Sequence, residues 1–205
     1  MGKFLSKSLN LCFDLIIPFV KRFKKYVAIK EQAELKKKFK FFGSDGDIQP
    51  PHRILNPQYI SIGNNFSSLY NLRLEAIDYY YSKRHFPDLV IGDNVIVHTD
   101  VHIGAINKIV IGNNVLIASR VYINDHSHGE INLDALNEIP ANRLLISKGP
   151  VIIEDNVWIG EGVCILGGVT IGRNSIVGAN SVVTKSFPCN CVIGGVPARL
   201  IKILE

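Results

Sequence analysis

Residues 151–185 read VIIEDNVWIGEGVCILGGVTIGRNSIVGANSVVTK. An aliphatic side chain returns every six positions, at Ile153, Ile159, Ile165, Ile171, Val177 and Val183. Four residues after each of the first five stands a second small side chain: Val157, Val163, Val169, Ser175, Ser181. An α-helix requires apolar positions at three- and four-residue spacing, and a hairpin sheet alternates without a six-residue beat. Short strands joined by tight corners satisfy the period. The aliphatics point inward, a small residue such as Gly160, Gly172 or Gly178 lets the chain turn, and three hexapeptides complete one triangular coil. The predicted fold is all-β, a parallel β-helix.

The same step runs through Ile91, Val97, Ile103 and through Ile111, Ile117, Ile123, with Val95, Val101, Val115 and Val121 as the second inward set. It breaks twice, since 29 residues separate Ile62 from Ile91 and 30 separate Ile123 from Ile153. Loop excursions are therefore expected near 65–89 and 127–150, and loops thrown out from a rigid coil are where substrate contacts usually sit. After Thr184 the chain leaves the beat, which predicts a loop and a short C-terminal extension. Alternation turns Leu116, Tyr122, Ile152, Trp158, Ile176 and Val182 outward. So many apolar side chains on an outer surface call for a partner, and a three-fold homo-oligomer suits a three-sided prism.

The chain has 205 residues, is 47% hydrophobic and carries a net charge of +5. That size supports a core without disulfides or metal. Residues 1–40 hold 11 Lys and Arg against 3 Asp and Glu, which leaves 12 and 15 from chain totals of 23 and 18. The positive charge belongs to an N-terminal segment, 1–45, and the β-helix domain, 46–205, lacks the basic stripe that a nucleic acid requires. Leu9 to Val20 is apolar but interrupted by Asp14 and Pro18, short of the roughly 20 residues needed to span a bilayer. A short amphipathic helix carrying Phe4, Leu5, Leu9, Phe13, Ile16 and Ile17, followed by Lys21, Arg22, Lys24 and Lys25, suits either peripheral contact with an anionic membrane or packing on the main domain. Met1 to Ser6 also fits an N-myristoylation pattern, which is too short to be diagnostic. Cys12, Cys164, Cys189 and Cys191 are too few for a disulfide framework, and a lone Cys-x-Cys lacks the second half of a zinc site. A cytoplasmic location, with the inner membrane as a peripheral site, is the expectation.

The most chemically loaded segment is Tyr122-Ile123-Asn124-Asp125-His126-Ser127-His128, which ends one array and opens the longer excursion. His126 falls three residues past inward Ile123, at a corner where an imidazole meets solvent. Asp125 either orients that imidazole or forms the turn, the commoner role for a corner Asp. His128 stands where it can bind an acceptor or assist His126. His98 and His102, four apart, are the remaining pair with metal-like spacing.

Residues 90–201 resemble the hexapeptide-repeat acyltransferases of the galactoside, maltose and polysaccharide O-acetyltransferase group. The resemblance is carried by Ile123 to His128, Val157-Trp158-Ile159-Gly160, Val169-Thr170-Ile171-Gly172, Val177 to Lys185 and Gly195-Val196-Pro197-Ala198-Arg199, in that order and spacing. It implies a left-handed winding, a homotrimer, and direct acyl transfer from acetyl-coenzyme A to a sugar hydroxyl, with a histidine at the position of His126 as general base. A sugar hydroxyl does not ionise at neutral pH, and an imidazole, with an ordinary pKa near 6.5, is a suitable base. The resemblance also implies a coenzyme A groove lined by Trp158, Gly160, Gly178, Ala179, Thr184, Lys185 and Arg199. A backbone N–H near Gly160 is the candidate oxyanion donor. His98 occupies a position where related sugar acetyltransferases carry Asn, so His98, Asp125 and His128 form the expected acceptor group. No metal is expected, because the zinc enzymes of this fold need a three-histidine set that His126-Ser127-His128 does not supply. The acceptor expected by analogy is a bacterial surface polysaccharide or its precursor, with sugar-nucleotide N-acetylation and a non-catalytic scaffold as the alternatives.

Overall fold

The computed structural model describes residues 2–130 and 132–205, and side-chain surroundings from residue 16 onward except at 131, 134 and 136. It divides into two compact units, 1–37 and 38–205. The first holds a helix, Gly2–Lys36, with Pro18 inside it. Of the apolar face read from the sequence, Phe4, Leu5, Leu9 and Phe13 lie outside the described side chains, as does Cys12, while Ile16 and Ile17 are exposed along with Phe19, Phe23, Tyr26 and Ile29. Among the described residues, no helix is long and apolar enough to cross a membrane.

The second unit is a coil of short strands that visit three parallel sheets in turn. The first face is built from Phe41–Phe42, Ile60–Ile62, Asp88–Ile91, Lys108–Ile111, Val151–Ile153 and Thr170–Ile171. The second runs from Asp47–Ile48 through Ser67–Ser68, Ile96–Val97, Leu116–Ile117, Trp158–Ile159 and Ile176–Val177 to Cys191–Gly194, and the third from His52–Leu55 through Leu72–Ala76, His102–Ala105, Tyr122–Asn124 and Cys164–Ile165 to Val182–Val183. Every inward position read from the hexapeptide beat is buried, including the hydroxyl residues Ser175 and Ser181. Those two serines are satisfied by the last coil: Ser175 Oγ donates to Pro188 O and accepts from Cys191 N, and Ser181 Oγ donates to Gly178 O and accepts from Gly195 N.

The corner between the first and second faces is a left-handed turn at Asn65, Asn94, Asn114, Asn156, Asn174 and Asn190, with φ between 55 and 59°. Asparagine is the non-glycine residue that tolerates this conformation best. The side-chain amides of the first five each donate to the asparagine of the next coil, at 2.8–3.1 Å. The ladder also measures the coils. Successive rungs are 29, 20, 42, 18 and 16 residues apart, so only one coil is three strict hexapeptides.

Both long coils spend their extra residues at one corner, the step from the third face to the first. There a hairpin, Tyr79–Tyr80 with Lys83–Arg84, leaves the lower coil, and a second ribbon, His126–His128 paired antiparallel with Leu145–Ser147, leaves the upper one. The lower excursion is thus shorter than the 65–89 break in the beat, because Ser67–Ser68 and Leu72–Ala76 are still strands of the coil. Ser68 fills an inward position and hides the rhythm there. The C-terminal stretch likewise stays in the coil for one shortened turn, with Phe187 bridging Ile171 and Ile193 buried, before Arg199–Ile203 folds back antiparallel on Cys191–Gly194.

Candidate active site

The imidazole of His126 stands where the upper ribbon departs from the coil. Its Nδ1 lies 3.0 Å from Asp125 Oδ1, and its side chain is 7% exposed. Asp125 is fully buried and does more than shape a turn: Oδ1 also accepts from Ile106 N and Oδ2 from Asn107 N, each at 2.9 Å. Those two amides form the tight corner of the coil beneath. A carboxylate can only accept, so His126 Nδ1 carries the proton and Nε2 presents its lone pair. The corner above is equally close. A Cβ on Gly167 would stand 2.7 Å from Asp125 O, so the chain passes here only without a side chain.

Another glycine, itself buried, lies beside His126. Gly104 is in register with Asn124 on the third face, and the point where its Cβ would stand is 3.4 Å from Asn124 Oδ1, 3.5 Å from His102 Nε2 and 3.6 Å from His126 Cε1. Asn124 Nδ2 donates to Tyr122 Oη, whereas its Oδ1 is buried without a partner. His102 packs edge-on against Tyr122 with ring centroids 5.3 Å apart and hydrogen-bonds through Nε2 to Glu75 Oε2 at 2.9 Å. Glu75 also takes Arg73 Nη2 and Arg53 Nε, both at 3.0 Å. Burial alone would raise the Glu75 carboxyl, but the hydrogen bond from Arg73 and the charges of His102 and Arg73 hold it below its ordinary value. Burial and the Arg73 charge lower His102, and Glu75 offsets them only in part.

The two excursions meet above this corner. Tyr80 of the lower hairpin packs edge-on against His128, with centroids 5.4 Å apart, and its Oη donates to Ala141 O at 2.8 Å. His85, at the foot of that hairpin, is buried with Nε2 unpartnered. Burial, then the charges of Lys83 and His126, push its imidazole below the ordinary range.

Of the residues read as an acceptor group, His128 shares the ribbon with His126. Asp125 is a correction: with no exposed surface and both oxygens engaged, it faces the imidazole and the amides beneath and cannot meet an acceptor. His98 follows Val97 at the corner between the second and third faces, apart from the corner that carries His126. Its sequence neighbour His102 is bound to Glu75, and among the described residues no group of three or more His, Cys, Asp or Glu converges on one point.

The residues assigned to the cofactor groove divide between two places. Thr184, Lys185 and Arg199 are exposed at the C-terminal end of the coil, where the turn 195–199 crosses the last strand of the third face: Val182 N donates to Gly195 O and Ala198 N to Val182 O. Lys185 Nζ sits 5.6 Å from the Phe187 ring centroid. That strand is two registers from Tyr122 through Cys164, roughly 10 Å at the spacing of parallel strands. Gly160, Gly178 and Ala179 lie together at the second-to-third corner, and Trp158, half exposed, projects from the second face. The N–H of Gly160 itself donates to Val177 O at 2.8 Å. A groove of about 780 Å³ over Ile152, Thr170 and Phe187 on the first face contains none of the predicted residues.

Sequence reasoning missed Glu75, Arg73, Arg53, Asn124 and Gly104. Their signal is recurrence at the coil length, since Arg53, Arg73, His102 and Tyr122 form one column in register and Leu55, Glu75, Gly104 and Asn124 form another.

Residues 150–185 match the family model described as bacterial transferase hexapeptide (six repeats). A protein of Escherichia coli K12 with the provisional name lipopolysaccharide biosynthesis O-acetyl transferase WbbJ is 41% identical over 158 residues, 76% of this chain and 77% of the relative. Among solved structures, galactoside acetyltransferase in complex with coenzyme A is 31% identical with a TM-score of 0.54, covering 86% of this chain and 70% of that one. The N-acyltransferase AntD from Bacillus cereus, in complex with dTDP and 3-hydroxybutyryl-CoA, is 26% identical with a TM-score of 0.67, covering 85% and 88%.

Proposed function

This chain belongs to the bacterial hexapeptide-repeat transferases and is an acyltransferase, and on that premise we propose that it O-acetylates a sugar hydroxyl of a bacterial surface glycan with acetyl-coenzyme A as donor. The observation that carries the reading is the Asp125–His126 pair. With Nδ1 committed to the carboxylate, His126 Nε2 is the base that takes the hydroxyl proton as the sugar oxygen attacks the thioester carbonyl. The proton then leaves on the coenzyme A sulfur, and no acyl-enzyme is required. Acetyl-coenzyme A supplies the activated acyl group. Lys185 and Arg199, both exposed cations, suit its phosphates, and the apolar surface of Trp158 suits its extended arm or a neighbouring subunit.

The coil winds left-handed and the active unit is a homotrimer in this reading. Trp158 and His126 stand on different faces of one chain, and a three-fold assembly lets the Trp158 of one subunit approach the His126 corner of the next. The surface-glycan acceptor is favoured by likeness to the lipopolysaccharide relative. Amino-sugar N-acylation is the second reading, favoured by the likeness to the N-acyltransferase solved with dTDP.

The test is coenzyme A release from acetyl-coenzyme A with a panel of sugar acceptors, comparing the native chain with His126→Ala. Acceptor-dependent release that disappears in the variant is expected. Equal release from both proteins would remove His126 as the base, and an amine product would select the second reading.

A further inference from the structure

The Glu75 cluster is larger than a structural ion pair needs. One buried carboxylate gathers two guanidinium groups and one imidazole, and all three come from the outward column of the third face. Each arginine spends a single nitrogen on it, Arg53 its Nε and Arg73 its Nη2. The rest of both forks remains available, with Arg53 68% and Arg73 46% exposed at the side chain. The two guanidinium groups outnumber the single carboxylate they share.

The column begins at the notch beside His126. At the point above Gly104, Asn124 Oδ1 is an orphaned acceptor on a residue only 7% exposed. A buried acceptor without a donor is costly unless something polar reaches it, and a ligand hydroxyl would satisfy it. From His102, which borders that point, the strand registers lead one step to Arg73 and two steps to Arg53, roughly 5 and 10 Å at parallel-strand spacing. Beside both arginines lies a cleft of about 350 Å³ lined by Pro51, His52, Arg53, Asn71, Leu72 and Arg73, in which His52 Nδ1 is also buried without a partner.

We infer that this column is an acceptor subsite for an acidic glycan: a sugar hydroxyl occupies the Gly104 notch, and a carboxylate or phosphate one to two sugar units away is held by Arg73 and Arg53. The inference rests on the acyltransferase reading of the His126 corner. Guanidinium groups suit it because their planar forks match both oxyanions, and Glu75 holds the forks in place before a ligand arrives. The acidic group arises either from a uronic acid within the glycan or from a phosphate linking the sugar to its carrier. Arg53 and Arg73 serve both.

The experiment compares two acceptor pairs on the full chain: a glucuronate-containing trisaccharide with its carboxyl-reduced form, and a glycosyl 1-phosphate with the free sugar. Binding to His126→Ala is measured by calorimetry, and acetyl transfer by the native chain is measured beside it. The acidic member of one pair is expected to bind at least about tenfold more tightly than its neutral partner, and the pair that does so identifies the source of the charge. Arg53→Gln, at an exposed position, removes most of that preference while the KM for acetyl-coenzyme A is unchanged, and Lys202→Gln serves as a charge control. Equal affinity within both pairs, or a preference that survives Arg53→Gln and Arg73→Gln, overturns the inference. Arg53-dependent binding without transfer in any pair would sink the sugar O-acetylation reading of the His126 corner and leave the anion subsite standing, so the two failures are distinguishable.

Discussion

Asp125 and His126 are adjacent in the chain, yet their side chains meet at 3.0 Å because the carboxylate is pinned from below by the amides of Ile106 and Asn107. The base and the corner of the coil beneath it thus share one buried anchor. Asp125→Asn offers an amide N–H where one of three donors now points. It is expected to lower kcat by at least about tenfold, as the imidazole loses its fixed tautomer, and to cost about 1–3 kcal/mol of stability. Acetyl transfer and denaturant melts on the same preparation check both. A variant with full activity would return Asp125 to the role of a turn residue.

The notch over Gly104 separates activity from stability. A methyl group there meets Asn124, His102 and His126 at ordinary contact distances, 3.4–3.6 Å, so Gly104→Ala folds with little change in Tm. It nevertheless fills the space proposed for the acceptor oxygen, and on that proposal acceptor kcat/KM is expected to fall by about tenfold to a hundredfold. Steady-state kinetics with acceptor and acetyl-coenzyme A varied in turn gives the answer, because the KM for the donor should not move.

Gly160 and Gly178, both assigned to the cofactor groove, differ in what a side chain would strike. A Cβ at Gly160 lies 2.7 Å from Ala179 N and Val177 O, whereas one at Gly178 finds nothing nearer than Ile193 O at 3.4 Å. Gly160→Ala must push backbone against backbone and is expected to cost about 1–3 kcal/mol, with Gly178→Ala near neutral. Thermal melts of the two variants test this ordering, and a stable Gly160→Ala would mean that the second-to-third corner yields more easily than its geometry indicates.

What the sequence made legible follows from what repeats. Ile153 to Val183 announces the coil because every inward position is aliphatic at strict spacing, and His126 stands out because the beat ends beside it. The lower coils are harder to read because Ser68 occupies an inward position and the third corner adds residues, stretching Ile103 to Ile111 to eight. The anchoring of Asp125 by the coil beneath was hidden for a different reason. Its donors Ile106 and Asn107 are 19 and 18 residues earlier, a separation with no meaning until the coil length at that corner is known. Arg53, Arg73 and His102 look like scattered surface charges for the same reason.

Acid should weaken this fold through the same corner. Glu75 is held below its ordinary value of 4.5, and His102 and His85 below 6.5, burial being the first cause for both imidazoles. In each case the unfolded chain binds the proton more readily than the folded one. The histidine contributions are therefore present above pH 6.5 and lost as pH falls through the lowered folded values, and the Glu75 contribution follows as pH falls below 4.5. Tm is expected to hold steady from neutral pH upward and to decline in two stages on acidification. His85→Leu removes a buried, unpartnered imidazole nitrogen and should shrink the first stage to the His102 share without altering the second. If melts of the native chain and His85→Leu decline in parallel between neutral pH and pH 5, burial of His85 is not what sets that stage.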